Sequence, residues 1–458
     1  MDTTGSLPGG HLPTQDALPA AGAAHAAVPL PAVTGEVADV ARSHLPMLQG
    51  AALTMGAVLG TGVITLPSLA ARIAGPASIL SWLLLVLVSV PLAATFASLG
   101  ARFPDAGGVA TYVRRAFGAR VGAMIGWIFF VAVPVGAPAA SMMAGHYVEA
   151  AVGGGRTTVL AVSAGLIVAV GLLNARGVRV SGPVQLGLAA LLVALIVSTV
   201  LVAAPHARPD ATGPFAPHGW PAVLAAAGVL VWAFAGWEAV APLAAEYRRP
   251  HRDVPLATAV AVVVIGSLYL ALAATTILVL GPAAATSTAP LADLMALGVG
   301  DAARVATAVI AVVLTLGTMN AFFAGAAKLG SALGRDGALP AWLAHGSSVG
   351  EVPRRSLLVL VAAAIGCLTV TAVAGLELDT SMVLATGSFT LVYVLGTASA
   401  VRLLPPGWGR RSAVTALVAT VVLAVSIGVA MLWAVAVGLA ALAYWRFRHG
   451  PVSGPTVG

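Results

Sequence analysis

The chain has 458 residues, of which 59% are hydrophobic and only 9% charged, with a formal net charge of +7. Soluble domains carry roughly 25% charged residues, so with a mean hydropathy of +0.99 the chain reads as an all-α polytopic membrane protein. An isoelectric point near 10.3 would suggest nucleic acid in a soluble protein, but these arginines flank apolar runs and report topology; no nucleic-acid partner is expected. The single cysteine, Cys367, lies within an apolar run and reads as a small core residue, which leaves no intramolecular disulfide or cysteine-based metal cluster. The nine histidines show no ligand spacing, and there is no Ser-His-Asp set or phosphate loop, so neither a metal, a cofactor nor an enzymatic centre is expected.

Residues 1–45 are rich in Pro, Ala and Gly, lack a spanning run and read as a disordered cytoplasmic segment. They lack the basic and apolar blocks of a signal peptide. Twelve apolar runs able to span follow, near 47–73, 78–99, 121–148, 158–173, 184–203, 223–243, 254–280, 305–327, 357–374, 381–404, 413–430 and 432–445. They define one membrane domain over 46–448, followed by a short cytoplasmic tail at 449–458. Arginines crowd alternate loops: Arg114, Arg115, Arg176, Arg248, Arg335, Arg354 and Arg410 are among those on one side, whereas the other has only Arg72, Arg156, Arg208 and Arg304. That bias predicts cytoplasmic termini in a cell membrane.

Two runs are interrupted. The first carries Gly60-Thr61-Gly62 at its middle, and the sixth carries Trp232-Ala233-Phe234-Ala235-Gly236-Trp237-Glu238. In hydrocarbon a backbone break is tolerated only where the freed N–H and C=O groups face protein or a polar cavity. If spans one to five and six to ten are repeats, an odd number per repeat inverts the second, giving a 5+5 inverted-repeat (LeuT-like) fold with helices 1 and 6 broken at matching positions. Such paired interruptions point to a binding site at mid-membrane. The alternative is that each glycine only lets helices pack closely.

From about Pro46 to Arg448 the chain resembles the amino acid-polyamine-organocation superfamily of transporters. Gly60-Thr61-Gly62-Val63 with Pro67 is similar to its first-helix signature. Phe103-Pro104 through Gly107-Gly108, Tyr112 and Phe117-Gly118 resembles the loop after helix two. Glu246 to Pro250 with Asp253 and Pro255 resembles the loop after helix six, and Lys328, Arg335-Asp336-Gly337 and Pro340 the end of helix eight. Pro134-Val135-Gly136-Ala137-Pro138, with Gly236-Trp237-Glu238-Ala239, is similar to bacterial exporters of methionine and branched-chain amino acids, although Trp237 stands where that branch has a smaller side chain.

The resemblance implies an amino acid permease in which N–H groups around Gly60, Thr61 and Gly62 take the substrate carboxylate at the positive end of a half-helix. Carbonyls from Trp232 to Ala235 take its ammonium. It also places Trp232, Phe234, Pro134 and Met319 around the substrate side chain, and Met319, where related carriers of long cationic substrates present an aromatic, tilts selection toward a smaller, uncharged one. Glu238, a mid-membrane carboxylate, is the candidate for proton coupling; the other reading is a permanently protonated group bonded to the broken backbone. Thr315 and Thr318 offer a sodium alternative. Lys328 reads either as a gate cation facing Asp105, Glu246, Asp253 or Asp336 or as a topological anchor. The leading expectation is proton-coupled efflux of a neutral amino acid by alternating access; an importer or exchanger of the same substrates, and a non-transporting sensor, remain open.

Overall fold

A computed structural model describes residues 1–2, 46–103, 108–177, 182–239, 244, 247, 249–346 and 351–449. Two units are separated along the chain, Met1–Ser43 and His44–Gly458, and every helix below belongs to the second. Almost all of the expectations for 1–45 and for the tail lie outside the described residues, as do those for Asp105, Glu246 and Arg248.

The described residues form fifteen α-helices: α1 Met47–Val58, α2 Gly62–Ala74, α3 Ser78–Arg102, α4 Gly108–Phe117, α5 Ala119–Val152, α6 Gly155–Ala175, α7 Gly182–Ala203 and α8 Pro221–Phe234 come first. Then follow α9 Pro250–Leu280, α10 Pro290–Val299, α11 Ala302–Arg335, α12 Arg354–Val373, α13 Leu378–Leu403, α14 Trp408–Ile427 and α15 Ala430–His449. Helix is the necessary answer for so apolar a chain in lipid, because it pairs each backbone group within its own segment.

Ten helical segments are long and apolar enough to cross a membrane, against the twelve runs expected. The difference arises at the two interruptions. The first expected span is divided into α1 and α2, and α2 continues through Gly75 into α3 as one 41-residue helical stretch, Gly62–Arg102. The sixth ends at Phe234 after 14 residues, too short to be counted.

Helix α5, 34 residues long, is the axis of the bundle and packs against α6, α11, α12 and α13. Of its most apolar window 67% is buried, against 22% for α14 and α15. Those two helices turn Val418, Val425 and Leu439 outward, as expected of segments bathed in acyl chains. Helix α3 packs on α9, α8 and α14, α1 on α7 and α9, and α2 on α8, which brings both interruptions to the bundle interior.

Candidate substrate site

The first break lies where the sequence placed it. Helix α1 ends at Val58, Gly60 donates its N–H to the Val58 carbonyl at 2.7 Å in a tight turn, and α2 restarts at Gly62 with no side-chain cap. Its leading N–H groups are therefore the donors that the break presents. The second follows Phe234: Ala235 is extended, Gly236 takes φ +134, and a short 3-10 turn, Trp237–Ala239, follows.

The two breaks touch. A Cβ on Gly236 would lie 2.5 Å from the Ala57 carbonyl oxygen, so the left-handed φ and the close approach both require glycine there. Trp232 fills a slot between two more glycines. A Cβ on Gly62 would sit 2.6 Å from its Cδ1, and one on Gly136 of α5 would sit 3.1 Å from its Cη2.

Carbonyls freed at the breaks are met by tyrosines. The Tyr269 hydroxyl of α9, fully buried, is 2.9 Å from the Ala233 carbonyl oxygen and 3.3 Å from that of Val58. Its ring stands edge-on to Trp82 and Phe234, each at 5.2 Å. Tyr393 of α13 places its hydroxyl 2.6 Å from Glu238 Oε2 and 3.1 Å from the Phe234 carbonyl oxygen, and accepts the Gly236 N–H at 3.1 Å. Glu238 Oε2 also accepts that N–H at 2.9 Å. The carboxylate is thus tied to the broken backbone through both Gly236 and Tyr393.

A cavity of about 60 Å³ lies between the breaks. Gly60, Thr61, Trp232, Ala235 and Met319 of the expected set line it together, with Gly136, Thr318, Phe322 and Phe389. None of its described lining residues is ionisable. Gly62, Phe234 and Pro134 are not among them: Gly62 backs the Trp232 indole, Phe234 turns toward α3 beside Leu85 and Val88, and Pro134 is buried in α5 next to the lining residue Val133. Glu238 faces a larger cavity of about 620 Å³, with Gln185, Thr318 and Lys328. Thr315 is fully buried, its hydroxyl without a hydrogen-bond partner.

Tyr269, Tyr393, Phe322 and Phe389 were missed by sequence reasoning. The tyrosines carried a usable signal, since a hydroxyl in the middle of an apolar helix must find a partner. The phenylalanines carried none, being indistinguishable from packing residues.

An all-helical membrane bundle with two facing backbone breaks around an uncharged pocket has the makings of a small-solute carrier. Comparison with known proteins narrows the class. The amino acid permease family model matches residues 45–447, and the chain belongs to that family. It is 32% identical to the uncharacterized amino acid permease YecA of Bacillus subtilis over 88% of this chain and 95% of that protein. It is 37% identical to the L-methionine/branched-chain amino acid exporter YjeH of Escherichia coli over 50% of this chain and 54% of that one. The branched-chain amino acid permease BcaP of Bacillus subtilis is 26% identical over 48% of this chain and 52% of its own. The protein is accordingly a multi-pass membrane protein of amino acid transport.

Proposed function

We propose that this permease moves neutral amino acids of the methionine and branched-chain type outward across the cell membrane in exchange for protons, by alternating access. The observation that carries the reading is the central pocket itself: Gly60 and Thr61 of the first break and Trp232 and Ala235 of the second line one space whose described lining is uncharged and includes Met319 and Phe389. A zwitterion needs donors at one end and acceptors at the other. An apolar lining with Met as an adaptable member suits an uncharged side chain. The likeness of half the chain to an exporter of methionine and branched-chain amino acids supports the same substrate class.

Topology enters the proposal in the same way. The stretch Gly62–Arg102, at 41 residues, exceeds the roughly 20 residues one crossing needs, and Gly75 at φ +62 separates α2, of 13 residues, from α3, of 25. Counting α3 as a crossing of its own, with α1 and α2 as halves of the first and the segment from α8 as the sixth, restores twelve spans in two inverted repeats of five and two more. The arginine bias then puts both termini in the cytoplasm. The central pocket shares Ala57, Thr318 and Phe322 with the 620 Å³ cavity, whose lining includes Lys328, so the pocket adjoins the side that the arginine bias assigns to the cytoplasm. Glu238 opens onto the same cavity and is the carboxylate that exchanges a proton with the cytoplasm.

The test is counterflow in proteoliposomes with a panel of labelled amino acids, with and without an imposed pH gradient. Methionine, leucine, isoleucine or valine should exchange and arginine and glutamate should not, and flux should accelerate with a gradient. Exchange of arginine or glutamate at comparable rates overturns the substrate reading.

A further inference from the structure

Arginines gather at one corner of the bundle, where α3 and α13 end and α14 begins. Arg102 closes α3, Arg402 lies in the last turn of α13, and Arg410 and Arg411 lie in the first turn of α14. Packing makes them neighbours, since α14 lies against both α3 and α13, and α4 against α13. A Cβ on Gly409 would sit 3.0 Å from Ser98 Oγ. Ser98 stands one turn before Arg102 on the same face of α3, so the first turn of α14 rests beside the last turn of α3.

Two phenylalanine rings hold the guanidinium groups in place. Arg102 and Arg115 of α4 both lie over the Phe103 ring, their Cζ atoms 5.8 and 5.3 Å from its centroid. Arg402 lies over the Phe117 ring at the end of α4, at 5.3 Å. A cation–π contact uses the face of a guanidinium and leaves its in-plane N–H donors for an acceptor.

That acceptor is not supplied by the described protein. Arginines elsewhere find partners: Arg335 pairs with Asp336 at 3.7 Å, and Arg355 donates to the Trp342 carbonyl at 3.2 Å. Arg102, Arg402, Arg410 and Arg411 are exposed, and their side chains make neither an ion pair nor a hydrogen bond among the described residues. Like charges held this close repel, and Arg410 and Arg411 also stand at the positive end of the α14 dipole, where cations are disfavoured. A phosphodiester among them relieves both costs and suits the planar fork of arginine, which binds phosphate oxygens in pairs.

The outer face of α14 continues the arrangement in apolar form. Val414, Val418 and Val425 follow Arg411 at i+3, i+7 and i+14, one stripe of the helix, and all three are exposed. Trp408, 84% exposed, stands at the head of the same helix, and tryptophan favours the membrane–water interface. Cationic donors and a track for hydrocarbon therefore adjoin on one surface. Free phosphate would use the first alone, whereas a lipid uses both.

We infer that this corner of α3, α4, α13 and α14 is a binding surface for an anionic phospholipid. Arg102, Arg402, Arg410 and Arg411 receive its phosphodiester headgroup, and an acyl chain lies along the valines of α14. The lipid ties the end of α13, the helix that brings Phe389 and Tyr393 to the centre, to α3 and α14. The inference is independent of which solute the central pocket takes.

Lipid binding to the full-length protein in neutral detergent tests it. Bound lipids are counted by native mass spectrometry during titration with phosphatidylglycerol, or with phosphatidylcholine of the same acyl chains. The wild type should bind phosphatidylglycerol more tightly by about ten-fold or more. Arg102→Gln with Arg402→Gln, and separately Arg410→Gln with Arg411→Gln, should each remove most of that preference. Arg176→Gln with Arg354→Gln removes equal charge where α6 meets α12 and should leave it intact. Inorganic phosphate at the same concentration should not compete, having no acyl chain. Equal affinity for the two lipids overturns the surface. A preference that survives both double variants of the cluster, or that falls as far in the Arg176 and Arg354 control, also overturns it, because the attraction then belongs to the overall charge. Competition by inorganic phosphate at equal concentration overturns the assignment to lipid.

Discussion

Replacing Gly62 by alanine adds one carbon behind the Trp232 indole, which is a wall of the central pocket. That carbon would lie 2.6 Å from Trp232 Cδ1 and 2.8 Å from Leu66 Cδ1, whereas carbon atoms in contact sit roughly 3.5–4.0 Å apart, so the indole must move by about 1 Å. It has nowhere to go on its far side, where its Cη2 already abuts α5 at Gly136. The movement must therefore be into the pocket, which at about 60 Å³ has room for roughly four water molecules. Overpacking of this kind costs roughly 1–3 kcal/mol, which at about 1.4 kcal/mol per decade is a five- to hundred-fold loss of affinity if the strain is relieved in the empty protein. The assay is the half-saturation concentration in counterflow, with Gly366→Ala as the control, since a Cβ there meets nothing within 4 Å. Gly62→Val should abolish binding at the central pocket. A half-saturation for Gly62→Ala within two-fold of wild type, with Gly366→Ala also unchanged, would show that Trp232 and the first break do not form the site.

Glu238→Gln keeps shape and hydrogen bonding but not titration, so it should still exchange substrate while losing acceleration by a pH gradient; full retention of the gradient response would make Glu238 structural. Tyr393→Phe removes the hydroxyl that lies 2.6 Å from Glu238 and 3.1 Å from the Phe234 carbonyl oxygen, and should cost about 1–3 kcal/mol of stability, read as a lower midpoint of thermal inactivation in detergent; an unshifted midpoint refutes the accounting. Asn174→Ala removes a buried amide that donates to Asn320 Oδ1 at 2.7 Å between α6 and α11, and a loss of similar size is expected in the same assay. Arg72→Gln, by contrast, breaks ion pairs whose partners are 37% and 71% exposed; exposed pairs are worth about 0–1 kcal/mol, so the midpoint should stay nearly unchanged.

The breaks were legible because glycine at mid-membrane is a local signal: Gly60 and Gly236 announce freed backbone whatever surrounds them. Residues whose role depends on what another helix brings to them were less so. Phe234 and Pro134 lie beside pocket-facing neighbours in sequence, but helical rotation turns Phe234 toward α3 and leaves Pro134 behind Val133. Phe322 and Phe389 face the pocket although nothing in their own segments separates them from packing residues. The span count fared differently again, since hydropathy measures apolar length and not continuity. A run that is broken in the middle scores as one crossing by composition and as none, or as part of a longer helix, by its geometry.

The Tyr269 hydroxyl carries a single proton, yet it sits within reach of carbonyls from two helices far apart in sequence, Val58 of α1 and Ala233 of α8. That arrangement constrains how segments can be exchanged with a relative. A hybrid joined between α7 and α8 would take Val58 from one parent and both Ala233 and Tyr269 from the other. The phenol would then have to fit a carbonyl position it was not selected against. A junction after α9 keeps all three from one parent and should be tolerated better, so where the trio is cut, and not how much of the chain is replaced, should decide which hybrids fold.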